Sequence, residues 1–251
     1  QQMMILFLQA PLCAYLMSIV VSGDLFNIYD ETKMVLFAMA TMSIWLGLLN
    51  SIQEICKERV ILAKEHMANM KLSAYISSKF FVQCLIGIIQ ALLLVSFFCL
   101  FVGDVPASGV VTSWYLETLL VCFLTIVSSS SLGLLVSTFA KNSSVAMTIA
   151  PLLLVPQLLF SGMLFKLDGV NEFISNFVLC RWSVEALGTT TDLNSLPNSF
   201  QNMMPGVVRE VEDYFEFTIE HFGTDILIIL GMTFILLICC YVILRKQLGK
   251  K

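Results

Sequence analysis

The chain has 251 residues, 58% of them hydrophobic and only 13% charged, against roughly 45–50% apolar and about 25% charged in an ordinary soluble domain. A globule of this length cannot hide so much apolar surface. Composition therefore excludes a soluble enzyme and a disordered chain, and the net charge of −4 argues against a nucleic-acid partner, leaving an integral membrane protein.

A helix needs about 20 mostly apolar residues to cross the hydrocarbon core. Six windows qualify, at about 3–21, 34–50, 80–102, 111–139, 143–165 and 226–244. No charged region or small-residue cleavage site precedes the first, so it reads as a span and not a signal peptide. The absent initiator Met points to sequence upstream of Gln1.

Between spans two and three, residues 52–67 (IQEICKERVILAKEHM) alternate apolar and charged groups at helical spacing. By pattern alone this is an amphipathic helix at the headgroups or a docking helix for a cytoplasmic partner. In span four, Glu117 is expected to reach the headgroups from near one end, and the run Ser128–Ser131 reads as small residues for close helix packing. Spans four and five are separated only by the turn Ala140-Lys141-Asn142.

The long segment 166–224 opens with Val170–Val178, too short to cross and therefore a re-entrant or interfacial helix. A Ser/Thr/Asn/Pro-rich loop follows over 188–205, then an acidic amphipathic stretch over 207–221. Arg181 either snorkels to the headgroups or pairs with Glu185 one helical turn on.

Ten of the 14 basic residues fall in 52–79, the four-five turn and the C-terminus, whereas most of the 18 acids fall on the other side. The positive-inside rule makes both termini cytoplasmic, in the plasma membrane, with the acidic loops outside. The fold expected is all-α and integral to the membrane: six transmembrane helices, a cytoplasmic amphipathic connecting helix and an outer re-entrant helix.

The span centres are nearly free of ionisable groups, with neutral Gln83 and Gln90 in span three, which counts against a proton- or sodium-coupled carrier. His66 and His221 lie on opposite sides and read as lacking acidic, His or Cys neighbours at metal-ligand spacing, so no metal or catalytic residue is assigned. A phosphate-binding Gly-rich loop is absent as well. The eight cysteines are not a disulfide framework, and Cys180 is expected to be the outward-facing one.

The stretch Asp24–Met67, with Asn50-Ser51-Ile52-Gln53-Glu54, Glu58-Arg59 and Lys64-Glu65, resembles the second span and connecting helix of G-subfamily ABC exporters. These are the white-pigment, sterol and multidrug half-transporters and their bacterial relatives, the latter being the nearer expectation. Phe160-Ser161-Gly162-Met163-Leu164, followed by Arg181-Trp182, resembles the end of that family's fifth span.

The resemblance implies that residues 1–251 form one transmembrane domain that lacks a nucleotide-binding domain and pairs with a second copy, or a pseudo-symmetric partner, amid membrane lipids. ATP and its Mg2+ would then sit on a nucleotide-binding domain, fused upstream or separate, and this chain would bind no cofactor and be no enzyme by itself. Lipophilic or amphipathic compounds would leave by alternating access along the dimer axis. Matched residue by residue, Met163 and Leu164 correspond to the plug of the pathway, Ser43 and Leu46 to cavity-lining positions, and Glu54, Glu58, Arg59 and Glu65 to the contact with the nucleotide-binding domain. The aromatic clamp of the drug exporters is missing near Leu46, although Trp45 is adjacent. Alternatives are a polysaccharide or lipid-linked polymer permease with a separate ATPase, and a non-transporting membrane scaffold.

Overall fold

The computed structural model describes residues 2–20, 25–163, 165, 169–197 and 212–248, the side chains of residues 2–6 and 213 excepted. Every regular element among them is helical: α1 (Gln2–Val20), α2 (Tyr29–Ser51), α3 (Glu54–Met67), α4 (Leu72–Val102), α5 (Trp114–Phe139), α6 (Ser143–Leu159), α7 (Val170–Ser175), α8 (Leu179–Thr190) and α9 (Ile219–Leu248), with short 3-10 turns at 193–195 and 213–215. Four segments are long and apolar enough to cross a membrane: Tyr29–Met67, Leu72–Val102, Trp114–Phe139 and Ile219–Leu248. The apolar helices at the first and fifth predicted spans are shorter, α6 having 17 residues.

Local chemistry sets the helix ends. Asp30 and Glu31 lie in the first turn of α2, and Arg245 and Lys246 in the last turn of α9, each complementing the helix dipole. Asn142 caps α6 by accepting from the Val145 N–H at 2.9 Å. Gly103, at φ 83°, ends α4 in a conformation that a Cβ would penalise.

The chain runs back and forth between two ends. One end carries α3, the start of α4, the end of α5 and the end of α9. There Ser137 meets the backbone of Ile55 and Cys56, and Gln247 reaches Thr138. The other end carries α8: the Trp114 indole donates to Thr191 Oγ1 at 3.0 Å, and Lys33 pairs with Glu212 at 2.8 Å.

At the centre, α2 lies along α5 on a seam of small residues. A Cβ on Gly47 would stand 2.1 Å from the Ile126 carbonyl oxygen, and one on Gly133 would stand 2.1 Å from Ser51 Oγ. Ser129 donates to the Ile44 carbonyl at 2.5 Å and Ser130 to the Gly47 carbonyl at 3.1 Å. All four serines of the 128–131 run are buried, as expected of residues that let two backbones approach. In contrast, α6 buries only Ala146, Ala150 and Leu154, a single stripe at four-residue intervals. Pro151 and Pro156 each remove one rung of its hydrogen-bond ladder.

Several sequence expectations change. Instead of reaching outward, Glu117 is buried and accepts the N–H groups of Val110, Val111 and Thr112 at 2.9, 2.7 and 2.6 Å, folding the preceding loop onto its own helix. Cys180, expected to face outward, is fully buried with its sulfur 4.0 Å from Thr41 Oγ1. The loop read over 188–205 begins inside a helix: its first three residues are the end of α8, which is buried along its whole length except at Trp182. Hydroxyl-rich sequence hid this helix, because Ser183, Thr190 and Thr191 turn their hydroxyls onto backbone carbonyls four residues back. The last helix begins at Ile219, seven residues before the predicted span, which brings His221 and Asp225 into it.

Candidate functional site at the connecting helix and the central seam

The connecting helix α3 lacks a cap from its own N-cap residue, Gln53. Ser137 of α5 supplies one instead, its hydroxyl accepting from the N–H groups of Ile55 and Cys56 at 3.0 and 2.9 Å. Two donors that the helix itself cannot satisfy are thereby tied to the end of the central helix. Beneath this joint, Arg59 donates to the Thr138 carbonyl and, at 3.3 Å, to Gln247 Oε1, while Gln247 Nε2 donates to the same carbonyl at 3.1 Å. One carbonyl at the end of α5 thus gathers α3 and α9.

On the other flank, Lys79 of α4 pairs with Glu54 at 3.1 Å and with Glu58 at 2.7 Å, and the Tyr75 hydroxyl donates to Glu58 at 3.0 Å. The lysine answers the like-charge pair Glu54 and Glu58, which would oppose each other on an isolated helix. Glu54, Glu58 and Arg59 are therefore brought together around the base of three helices. Glu65 lies farther along α3 with its side chain exposed.

The matched pathway residues fall in different settings. Ser43 and Leu46 are fully buried in the bundle, with Ser43 donating to the Met39 carbonyl at 2.9 Å. On the outward face of α2 stand Met34 and Trp45. Met163 is half-buried against the core just after Gly162, and its partner Leu164 lies outside the described residues.

A second polar cluster sits at the opposite end. Arg181 and Glu185 do form the i,i+4 pair, at 3.3 Å, and both are buried. Arg181 also donates to Ser175 at 3.2 Å and to Asn176, and its guanidinium stacks on Trp182 and Tyr214. Burial pushes the Glu185 carboxyl up to about 7, against the opposing pull of Arg181. Beside them are His221 and Asp225. The expectation that neither histidine has acidic neighbours is corrected here: Asp225 is one turn after His221, a signal present in the sequence, and Glu185 arrives from another helix.

Residues 2–190 match the family model of the ABC-2 type transporter membrane domain. The chain is also similar to an ABC transporter ATP-binding/permease protein of Mycobacterium tuberculosis, 23% identical over 210 residues that make up 82% of this chain. It spans only 23% of that relative's length.

Proposed function

The chain belongs to the ABC-2 type transporter family, and from that premise we propose that it is the permease domain of an ATP-driven exporter of lipophilic or amphipathic compounds, of the G-subfamily type and from a bacterial source. Two copies would pair across the open faces of α2 and α6, giving six spans each, with α1 and α6 as the two shorter ones and α7–α8 as the re-entrant element. The basic end of the bundle would face the cytoplasm of a plasma membrane, with both termini there. ATP and Mg2+ would be held by a nucleotide-binding domain, fused or separate, and the mycobacterial relative, named as an ATP-binding/permease protein, supports the fused form.

The observation that carries this reading is the joint between α3 and the base of α5. A partner pressing on Glu54, Glu58 and Glu65 would move α3, and α3 is fastened to the central helix at Ser137 and Thr138. Motion would then pass to the weakly held α6 and not be absorbed in the rigid α2–α5 seam. Met34 and Trp45 would line the pathway, Ser43 and Leu46 would support its wall from behind, and Met163 with Leu164 would close the outer end as a repackable apolar plug.

In nanodiscs, the full-length transporter carrying Glu58→Ala and Arg59→Ala together is expected to lose at least about fivefold of the ATP hydrolysis that depends on this domain, the lower range of a typical coupling. ATP-driven uptake of fluorescent amphiphiles into inside-out vesicles should fall with it. Unchanged hydrolysis would remove the coupling role from α3, and failure of every amphiphile to move would remove the export reading.

A further inference from the structure

The corner where α8 packs on α9 holds a set of groups that transport along the dimer axis does not use. Two i,i+4 pairs face each other across it, Glu185 and Thr189 on α8, His221 and Asp225 on α9. Glu185 Oε1 is 3.3 Å from His221 Nε2, Asp225 Oδ2 is 3.5 Å from His221 Nδ1, and Thr189 Oγ1 is 3.4 Å from the same Nδ1. One ligand atom each from Glu185, His221 and Asp225 lies within 4.8 Å of the others.

The carboxylates are out of water, Glu185 at 5% and Asp225 at 1% exposure. Asp225 Oδ2 makes no hydrogen bond although it points at the imidazole, whereas Glu185 Oε2 lies in the ion pair with Arg181. A buried carboxylate oxygen without a hydrogen bond is costly, most of all if ionised. Charge runs short too. With both carboxylates ionised and the imidazole neutral, Arg181 would offset only one of them, leaving the corner one positive charge short.

An entrance exists. An open cavity of about 570 Å³ is lined by Glu216, Glu220, His221 and Thr224. Its two glutamates concentrate cations at the mouth, and His221, the partly exposed member of the set, connects the mouth to the buried carboxylates.

We propose that this corner is a binding site for a divalent transition metal of the Zn2+ class. One imidazole and two carboxylates suit that ion better than Mg2+ or Ca2+, which prefer all-oxygen sets. The metal takes His221 Nε2, Glu185 Oε1 and an Asp225 oxygen, leaving a fourth position open to water from the cavity. Thr189 accepts from the Nδ1–H and fixes the tautomer, while Arg181, lying against the other oxygen of Glu185, orients that carboxylate, as outer partners of metal ligands do. Glu185 Oε1 already faces Nε2, whereas Asp225 faces Nδ1 and must turn toward the Nε2 side for all three ligands to reach a tetrahedral ion at about 2.0–2.1 Å, so binding clamps α8 to α9.

The full-length transporter, stripped with chelator and titrated with Zn2+ by calorimetry, should bind one ion per chain in addition to any held by its cysteines. His221→Asn and Asp225→Asn should each weaken that ion at least about tenfold, and Zn2+ should raise the melting temperature of the unsubstituted protein but not of either variant. Co2+ at the site should give d–d absorption without thiolate charge transfer, which separates it from the cysteines. Overturning results are the absence of such an ion, binding unchanged in both variants, thiolate bands, or a His221 that titrates as an imidazolium bridging the two carboxylates with no metal taken up. Folding of the variants is checked by gel filtration, and Glu185→Gln provides a third reading should either aggregate. None of these outcomes depends on whether the protein exports anything.

Discussion

The two ends of the bundle both carry charge, and they handle it in opposite ways. At the α3 end, Lys79 holds Glu54 and Glu58 through contacts open to water, the two glutamates being 34% and 40% exposed. At the α8 end, Arg181 holds Glu185 in a buried pair where both side chains are below 10% exposed. Exposed pairs contribute about 0–1 kcal/mol each and can be exchanged for contacts with another protein at little cost. Buried ones cannot be exchanged, because removing one partner strands the other without solvent. One end is thus suited to being pushed and the other to staying fixed.

The strongest way to break this contrast is Arg181→Ala. It would leave Glu185 and Asp225 buried together without their cation and is expected to cost about 3–5 kcal/mol, read as a large drop in melting temperature in detergent. If the loss is under 1 kcal/mol, the pair is not energetically buried and the contrast fails. Next in size is Gly133→Val on the central seam. Its Cβ would meet Ser51 Oγ and stand 2.9 Å from the Leu48 carbonyl, contacts that include backbone, so a cost of about 1–3 kcal/mol is expected. Ser137→Ala follows. It removes the acceptor for two α3 donors at a cost of about 1–2 kcal/mol, and hydrogen exchange should show faster opening of the first turn of α3 than of α5.

The two ends also differed in how far their sequence disclosed them. The α3 end was readable because its signals are local: charges at helical spacing between two apolar runs announce an amphipathic helix, and Glu58 and Arg59 stand beside each other in it. What could not be read was the joint, since Ser137 as a cap and Thr138 as a shared acceptor lie about 80 residues away along the chain. The α8 end was legible only in part. Arg181 and Glu185 one turn apart offered their pair as one of two readings, the other being snorkelling, and the structure chooses the pair. A helix rich in Ser, Thr and Gly looks like loop until its hydroxyls are seen bonding to carbonyls within it. The approach of α8 to His221 and Asp225 is a tertiary fact with no local mark. Glu117 was misplaced for a related reason: near a helix end a carboxylate has two outlets, water or the orphan N–H groups of the preceding loop, and position along the helix does not choose between them.

The smallest expected effect sharpens the contrast most. Lys79→Ala removes the cation that bridges Glu54 and Glu58, yet both glutamates reach water and the Tyr75 hydroxyl still donates to Glu58. Stability should fall by less than about 1 kcal/mol, within reach of a double-mutant cycle with Glu58→Ala, whose interaction energy should be of the same small size. Hydrolysis coupled to this domain should respond more than stability does, because the freed glutamates repel each other and alter the face that α3 offers to its partner. A loss of stability equal to that of Arg181→Ala would make the α3 end a clamp as well. A loss of neither stability nor coupling would reduce the lysine to a solvated surface charge and leave Arg59 and Ser137 to hold α3 to the base of α5.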